Sequence, residues 1–391
     1  MDFIAHTLGI SPIEVRRRNF LRPGQTTTTE QVVQEQIDLG KLLDRALELA
    51  EYRAKKDTFT KENLNADKKK GIGIAAFLHG AGFTGSGERY LNSLVGVETC
   101  PDGTIRVLVS STEFGQGTKT VLCQIAAEAL GVRYEDVGIA QPDTQKVPNS
   151  GPTVASRTIM VVGKLVHSAA LAILQTLMSG GLLGEVYSPE EFRAACRQHV
   201  AQNGVFRSFA RYQQADDISW DEENYRGAAY AAFAWAVYVA EVTVDLTSYS
   251  VTVDDFVCLQ EVGRVLHPVL AAGQIIGGVA QGIGFALYEK VIWDKGRMKN
   301  GQMTNYIIPT SADIPPIRVF FEELGNVHGA FGAKGIGELP MDGPAPAIVN
   351  AITDALGISF NSIPLLPEDI FEALTAKSSQ EAMPALADSK Q

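Results

Sequence analysis

One carboxylate of the sequence stands at the end of a glycine-dense turn. Glu338 directly follows residues 332–337, which contain three glycines, and it precedes a predicted helix that begins with proline. An acid in such a turn would be partly withdrawn from water, which is a suitable environment for a general base. The alternatives are structural, since Glu338 could also cap a neighbouring helix or pair with Lys334. The spacing leaves both possibilities open.

A second turn has the composition of an anion-binding loop. Residues 113–118 place Gly115, Gln116 and Gly117 directly before a predicted helix that begins at Thr118. A helix N-terminus offers unpaired N–H groups and the positive end of the helix dipole, and glycine lets a ligand approach the backbone. The turn therefore predicts oxyanion binding, with an ordinary strand-to-helix connection as the alternative.

A third turn, residues 149–158, combines small residues and hydroxyl groups with one arginine before a long predicted helix. Ser156 and Thr158 are natural helix caps, and a cap requires no ligand. Arg157 at a helix N-terminus is electrostatically unfavourable unless an anion or an acid meets it. Residues 277–284 are also rich in glycine, but close packing of a helix against another element explains most of their spacing.

The bulk composition excludes several classes of protein. The chain has 391 residues, of which 45% are hydrophobic, so it can bury a large core. Its net charge of -11 provides no basic surface for nucleic acid. The four cysteines form no CxxC pair, so we expect neither an iron–sulfur cluster nor a structural zinc ion. We also expect no membrane-spanning segment and no signal peptide, and we predict a cytoplasmic location.

The sequence divides into four segments. Residues 1–54 predict helices, including one that begins at Asp2 and stops at Gly9, and a second that begins near Pro12 with Ser11 as its cap. Residues 55–70 are charged and polar, which predicts an exposed linker. Residues 71–374 form the main predicted domain, and residues 375–391 lack a sustained apolar face, which predicts a flexible tail.

The main predicted domain mixes strands with helices. Alternating patterns predict strands from residue 71 onward, a hairpin turn at residues 101–103, and strands at residues 234–245 and 250–257. Helical periodicity predicts helices at residues 118–130, 158–178, 273–287 and 346–356. The predicted fold class is therefore α+β, with mixed β-sheets and packed helices.

The order of these motifs resembles the second molybdopterin-binding domain of the xanthine dehydrogenase and aldehyde oxidase family. The resemblance covers residues 71–374 and rests on GQG at 115–117, PTxASR at 152–157, VGRxxxP at 262–268, GGVxQGIG at 277–284 and GAKGIGE at 332–338. Residues 1–20 also resemble the end of the family's first molybdopterin-binding domain, most of which is absent here. The resemblance implies a fragment or a separately encoded subunit.

The resemblance also implies a role for each motif. Glu338 would be the catalytic glutamate, although Leu339 stands where the family commonly has proline. The cofactor would be molybdopterin or its cytosine dinucleotide form, and its pterin would hold the molybdenum, so that no side chain is expected to bind the metal. The implied cofactor-binding residues are Gly115, Gln116, Gly117, Ser156, Arg157, Thr158, Lys334 and Gly335.

The implied activity is hydroxylation with water as the source of oxygen. The substrate would be a small molecule, either an N-heterocycle such as a purine or an aldehyde. Electrons would pass to an iron–sulfur subunit and an FAD subunit, and a further chain would supply the first molybdopterin-binding domain. Neither nucleic acid nor a membrane is an expected partner.

Two other functions explain fewer of the sequence motifs. A non-catalytic or truncated assembly subunit could retain the shape of the domain, and a cofactor-loaded complex would argue against it. A nucleotide-binding enzyme would need a GxGxxG turn after its first strand or a GxxxxGK[ST] loop, and the sequence contains neither.

Overall fold

Helices and strands are mixed along the chain, which confirms the predicted α+β class. The structure is a computed structural model that describes the backbone of residues 1–387 and the side chains of residues 1–377. Twelve α-helices lie in the described residues: α1 (Asp2–Leu8), α2 (Pro12–Asn19), α3 (Leu39–Leu49), α4 (Tyr52–Glu62), α5 (Gly87–Leu91), α6 (Thr118–Leu130), α7 (Gly163–Ser179), α8 (Pro189–Asn203), α9 (Pro268–Leu287), α10 (Leu339–Asp342), α11 (Pro344–Leu356) and α12 (Pro367–Ala387). Twelve β-strands lie in the same residues: β1 (Lys68–Ala81), β2 (Leu94–Thr99), β3 (Ile105–Leu108), β4 (Val137–Ile139), β5 (Arg207–Arg211), β6 (Trp220–Asp221), β7 (Arg226–Gly227), β8 (Ala232–Asp245), β9 (Val251–Glu261), β10 (Trp293–Asp294), β11 (Arg297–Met298) and β12 (Ile317–Glu322).

The first of two larger sheets has the strand order β1-β8-β9-β12. β1 and β8 pair antiparallel from Lys68 with Asp245 to Ala81 with Ala232. β9 is antiparallel to β8, and β12 is parallel to β9. Helix α11 packs on one face of this sheet, and α3 and α4 pack on the other. Because both faces are covered, most of β8 is buried without alternation.

The second larger sheet has the order β4-β3-β2-β5 and belongs to a lobe inserted between β1 and β8. β2 and β3 are antiparallel, and their connection turns at residues 101–103 as predicted. Helices α6 and α7 pack on this sheet, and α8 packs on α7. The two lobes are nested, because residues 82–231 leave the first sheet after β1 and return to it at β8.

Several helix ends lie where local signals predicted them. α1 begins at Asp2, and the following Gly9 adopts a left-handed conformation with φ 63°. Ser11 caps α2 by accepting the Glu14 N–H at 3.1 Å. α6 has the predicted bounds, whereas the helix predicted from residue 158 begins with a π-helical turn, Thr158–Val162, before α7.

α9 begins five residues before its predicted start at residue 273. His267 Nδ1 accepts the Leu270 N–H at 3.2 Å, and Pro268 occupies the first helical position. A proline there needs no N–H acceptor, so the helix can begin at once. The predicted packing role of residues 277–284 is confirmed, because a Cβ at Gly278 or Gly282 would collide with a proline side chain of α10 or α11.

The exposed linker predicted at residues 55–70 is wrong, because α4 and the start of β1 occupy most of it. Phe59 is buried against the first sheet. Lys55 Nζ lies 2.6 Å from Glu241 Oε2, so one of the charges that suggested exposure is paired across the fold. Local composition could not reveal a partner so distant in the sequence.

The segments predicted at the two ends of the chain contain helices. Leu43 and Leu47 of α3 are buried in one core with Trp235 of β8, so residues 1–54 pack against the first sheet. At the other end, α12 continues through most of the predicted tail to Ala387, and residues 388–391 lie outside the described residues. The domain boundaries themselves stay predictions.

Two helical stretches pass a simple test for membrane-spanning segments, contrary to the expectation from the sequence. Thr158–Ser179 and Pro268–Leu287 are long and apolar enough to cross a membrane by length and composition alone. In their most apolar windows, 56% and 33% of the residues are buried within the described structure. Helices of a protein core pass the same test, so the observation is weak evidence for a membrane.

Gly73 tests the close packing of α11 on β1. A Cβ at Gly73 would collide with the carbonyl oxygen of Ala347 and the backbone nitrogen of Ala351. We expect Gly73→Ala to lower the free energy of unfolding by about 1–3 kcal/mol, because the helix must move away from the sheet. Urea denaturation followed by circular dichroism measures the change.

Gly325→Ala is the matched control, since a Cβ at Gly325 would meet no heavy atom within 4 Å. We expect it to change stability by less than about 0.5 kcal/mol. Equal losses in the two variants would contradict the packing argument.

Candidate functional site

A cavity of about 400 Å³ lies between loops of the two lobes. The inserted lobe contributes the turns that precede α6 and α7, and the first lobe contributes the start of α9 and the turn before α10. The volume is typical of a small-molecule site. Gly115 is absent from the lining, but the other predicted site residues line the cavity: Gln116, Gly117, Ser156, Arg157, Thr158, Lys334, Gly335 and Glu338.

The N-terminus of α6 is occupied by a carboxylate of its own turn. Glu113 accepts the N–H groups of Gly115, Gly117 and Lys119 at 2.8, 3.1 and 2.9 Å. Burial raises the pKa of Glu113, but these backbone hydrogen bonds outweigh it and leave the pKa lowered. The anion predicted for this turn is therefore an internal one, and Gly115 and Gly117 donate to Glu113 instead of to a ligand.

Gln116 uses its side chain to build the same turn. Nε2 donates to Thr112 O and Thr118 Oγ1, and Oε1 accepts the Phe114 N–H. The backbone N–H of Gln116 has no acceptor among the described residues. A Cβ at Gly115 would meet nothing within 4 Å, so the adjacent backbone is open. Gln116 can therefore contact a ligand through its backbone, with its amide group already used.

Arg157 is fully buried and pairs with Glu88. Nε donates to Glu88 Oε1 at 2.8 Å, and Nη2 donates to Glu88 Oε2 and Ser93 Oγ at 2.7 Å each. Nη1 donates to the carbonyl oxygens of Ser150 and Pro152 at 3.0 and 3.2 Å. All five N–H groups of the guanidinium therefore have acceptors. Its counter-ion is a protein carboxylate, whereas the residue also lines the cavity, so its implied part in cofactor binding stays a prediction.

The segment before Arg157 has an unusual backbone conformation. Ala155 and Ser156 have φ angles of 53° and 49°, a left-handed region that costs non-glycine residues about 1–3 kcal/mol each. Gly335 packs closely on this segment, since a Cβ there would collide with the Ser156 carbonyl oxygen. These contacts fix Ser156 against the turn that carries Glu338. Thr158 also lines the cavity, at the start of the π-helical turn.

Ser156 and Glu338 join the two lobes by two hydrogen bonds. The Glu338 N–H donates to Ser156 Oγ at 3.0 Å, and Ser156 Oγ donates to Glu338 Oε2 at 2.9 Å. The Glu338 side chain is 52% exposed, so the described residues do not withdraw it from water as the sequence predicted. It makes no side-chain cap hydrogen bond to α10, and Lys334 pairs elsewhere, so neither structural alternative holds.

Lys334 is buried beneath the glycine-dense turn. Its Nζ lies 2.5 Å from Glu261 Oε2 and donates to Phe233 O at 2.8 Å. Glu261 Oε1 accepts the N–H groups of Gly263 and Leu324. Because the ammonium group is used inside the protein, Lys334 anchors the turn. The residue also lines the cavity, and its implied part in cofactor binding stays a prediction.

Glu338 has a titratable neighbour that the sequence analysis did not identify. His79, near the end of β1, places Nε2 3.3 Å from Glu338 Oε2 and Nδ1 2.7 Å from Asp342 Oδ2. Glu338 Oε1 has no hydrogen-bond donor in the part of the chain that the structure describes. The sequence separation between His79 and Asp342 is 263 residues, so no local pattern could have joined them.

Two further polar side chains at the cavity were also missed. Arg264 is exposed and has no carboxylate partner among residues with described side chains; its Cζ lies 5.9 Å from the centroid of the Phe331 ring. Gln274 of α9 lines the cavity, and its amide makes no hydrogen bond within the same residues. The VGRxxxP motif was the signal for Arg264, because it places an arginine just before the start of α9.

The cavity fits a ligand that carries hydrogen-bond acceptors and negative charge. Ser156 and residues 335–337 line it, and their backbone N–H groups, like that of Gln116, have no acceptor in the described structure. Arg264 supplies an unpaired positive charge, and Phe114 and Leu270 supply apolar walls. This combination of apolar surface with a few directed polar groups is typical of cofactor sites.

The described residues contain no group of three or more His, Cys, Asp or Glu side chains placed to hold a metal ion. All four cysteines are free and buried. Burial raises the pKa of Cys123 to about 11 and that of Cys196 to about 12, which disfavours the thiolate form that binds metals.

The two nested lobes and the glycine-lined cavity between them define a cofactor-binding domain. The profile of the molybdopterin cofactor-binding domain family matches residues 45–315. The aldehyde oxidoreductase of Megalodesulfovibrio gigas is 32% identical over 380 residues, covering 96% of this chain and 40% of the relative. A putative xanthine dehydrogenase molybdenum-binding subunit of Escherichia coli K12 is 29% identical over 392 residues, covering 95% of this chain and 50% of the relative. The solved aldehyde oxidoreductase of Desulfovibrio gigas has a TM-score of 0.83 and 31% identity, covering 96% of this chain and 40% of that one.

The chain belongs to the molybdopterin cofactor-binding domain family, and the resemblance to the xanthine dehydrogenase and aldehyde oxidase family is confirmed. It spans only 40% of the length of the first of these relatives and 50% of the second.

The internal role of Arg157 can be tested by stability. Arg157→Met would leave the Glu88 carboxylate buried without a counter-ion, and we expect a loss of about 3–5 kcal/mol in the free energy of unfolding. Arg264→Met removes an exposed, unpaired arginine and should change the free energy of unfolding by less than about 0.5 kcal/mol. Denaturant unfolding of both variants provides the comparison, and an Arg157→Met protein as stable as the parent would refute the internal role.

Proposed function

We propose that this chain is the cofactor-binding and base-bearing part of a molybdenum hydroxylase. The observation that carries the proposal is the arrangement of Glu338 on the cavity wall. Two neighbours, Ser156 and His79, hold Oε2, whereas Oε1 has no donor among the described residues. A carboxylate held by one oxygen and open at the other is suited to accept a proton from a group bound in the cavity.

The cofactor is molybdopterin or its cytosine dinucleotide form. The backbone N–H groups of Gln116, Ser156 and residues 335–337 would donate to the polar edge of the pterin, and Arg264 would meet the phosphate of its tail. When bound, the cofactor supplies the redox chemistry and prepares the oxygen that comes from water. Thr158 and Gly335 line the same cleft and allow close approach.

The reaction is hydroxylation of an electron-poor carbon in an N-heterocycle, purine-like, or in an aldehyde. Glu338 would accept, at Oε1, a proton that water loses as its oxygen bonds to the substrate carbon. The C–H bond of that carbon breaks, and its two electrons would leave through the redox cofactor to the acceptor subunits. Ser156 and the backbone around it fix the direction of the carboxylate, which limits the number of orientations that must be lost before reaction. The names of the relatives, an aldehyde oxidoreductase and a xanthine dehydrogenase subunit, support these two substrate classes.

The partners are an iron–sulfur subunit, an FAD subunit and a chain that supplies the first molybdopterin-binding domain. The electrons of the reaction need an acceptor, and the four buried thiols offer no cluster site. Large apolar side chains are exposed on α9 and on residues 291–308, among them Val269 at 77% and Trp293 at 66%. Exposed apolar surface of this kind is typical of a protein interface. The free thiols support a cytoplasmic location.

Replacement of Glu338 tests the base assignment. In the assembled complex, we expect Glu338→Gln to lower turnover by a factor of about 10²–10⁴, because the amide cannot accept the proton. Molybdenum content should stay near that of the parent complex, since the amide retains the size of the side chain. Steady-state turnover and elemental analysis of the same preparation measure the two quantities.

Glu62→Gln is the control, because the Glu62 side chain has the same exposure, 52%, and lies in α4 away from the cavity. Its turnover should match that of the parent. Retention of full turnover in Glu338→Gln would exclude Glu338 as the base.

Cofactor content tests the binding assignment. We expect molybdenum and pterin in the assembled complex and little of either in this chain purified alone. Arg264→Gln should lower the content of the complex several-fold, because a charge-assisted contact with phosphate is lost. Arg53→Gln, at an exposed arginine of α4 without a carboxylate partner in the described structure, should leave the content unchanged. A complex without molybdenum and pterin would favour a non-catalytic assembly subunit.

A further inference from the structure

His79 links two carboxylates of the same helical turn. Its Nδ1 lies 2.7 Å from Asp342 Oδ2, and its Nε2 lies 3.3 Å from Glu338 Oε2. Asp342 follows Glu338 by four residues, so α10 places both acids on one side, facing the end of β1. The His79 side chain is 24% exposed, which limits its freedom to turn away into water.

The number of protons in this group follows from its hydrogen bonds. An ionised carboxylate can only accept, and a neutral imidazole has one N–H and one lone pair. Neutral His79 could therefore donate to Asp342 or to Glu338, but it would direct its lone pair at the other carboxylate. Both contacts are satisfied together when the imidazole is protonated, and the group then carries a net single negative charge.

Asp342 has the larger influence on the charge of His79. The hydrogen bond from His79 to Asp342 raises the pKa of the imidazole most, and the contact with Glu338 raises it further. Burial acts in the opposite direction and is outweighed. Asp342 and Glu338 are the titratable groups within hydrogen-bond distance of His79 among the described side chains. Because the pKa of His79 is raised, the imidazole donates both hydrogen bonds at pH values below that pKa, while the two carboxylates are ionised. One of the two hydrogen bonds is lost as the pH rises through the pKa of His79.

We propose that His79, oriented by Asp342, is a protonated positioning residue that fixes Oε2 of Glu338 and leaves Oε1 as the oxygen that accepts the proton. The inference rests on the proposed role of Glu338 as the base. With Ser156 on one side and His79 on the other, Oε2 has two donors from different lobes. Rotation of the carboxylate would break both hydrogen bonds, so the two oxygens are not equivalent.

The charge of His79 can be measured without cofactor. The 391-residue chain contains six histidines, so selective 13C labelling at the ring Cε1 gives a resolvable spectrum. The signal that disappears in His79→Gln identifies His79. We expect its titration midpoint to lie above the usual value of about 6.5. Asp342→Asn should lower the midpoint strongly and Glu338→Gln less, in the order of their influence on the pKa.

Turnover of the assembled complex tests the consequence for catalysis. Turnover should fall as the pH rises through the His79 midpoint. His79→Gln should lower kcat on the order of 10- to 100-fold with little change in KM, and this alkaline fall should be absent. Asp342→Asn should move the alkaline decrease in turnover to lower pH. This second variant tests the same arrangement if His79→Gln folds poorly. His6→Gln, on exposed α1, is the control.

Either of two results would overturn the proposal. One is a His79 midpoint that neither Asp342→Asn nor Glu338→Gln changes, and the other is full turnover with an unchanged pH profile in His79→Gln. Failure of the proposed function gives a different pattern, because Glu338→Gln would then retain turnover while the His79 titration still responded to Asp342→Asn.

Discussion

The buried ion pair between Arg157 and Glu88 is the interaction on which the geometry of the site depends. A guanidinium without exposure to water must find an acceptor for every N–H, and Arg157 does so with one carboxylate, one hydroxyl and two carbonyl oxygens. The carbonyl acceptors belong to the turn just before Arg157, so the ion pair fixes the conformation of that turn. Ser156 is thereby kept in a left-handed conformation, from which its hydroxyl reaches across to the other lobe.

The same kind of internal pairing occurs at three of the turns that surround the cavity. Glu113, Arg157 and Lys334 each lie beside a glycine-rich or small-residue turn, and each is neutralised or saturated by groups of the protein itself. A charge removed from water is tolerated only when it is paired, so these side chains stiffen the turns and leave backbone N–H groups for the ligand. Rigid backbone donors need little reorganisation when a cofactor binds, which favours affinity.

The sequence predicts local features of the fold well and distant partners poorly. The bounds of α6, the cap at Ser11 and the turn between β2 and β3 depend on neighbouring residues, and all lie as predicted. The glycine-rich turns were located correctly, and so was the position of Glu338 at the cavity.

The internal ion pairs of Arg157 and Lys334 could not be predicted, because their counter-ions lie 69 and 73 residues away in the sequence. The same limit applied to His79, whose partners are brought to it by the docking of α10 against the end of β1. Ionic partners that are distant in the sequence become visible only in the folded structure, since periodicity and composition describe residues that are near one another along the chain.

The nesting of one lobe inside the other affects how the chain reaches its native state. β1 and β8 are hydrogen-bonded neighbours, yet the whole of the inserted lobe separates them in the sequence. An unfolded insertion would impose a long loop closure before the two strands could meet, whereas a lobe that is already compact presents its two ends close together. The first sheet thus depends on early collapse of residues 82–231, and changes that slow this collapse leave the apolar strand β8 exposed for longer to other chains.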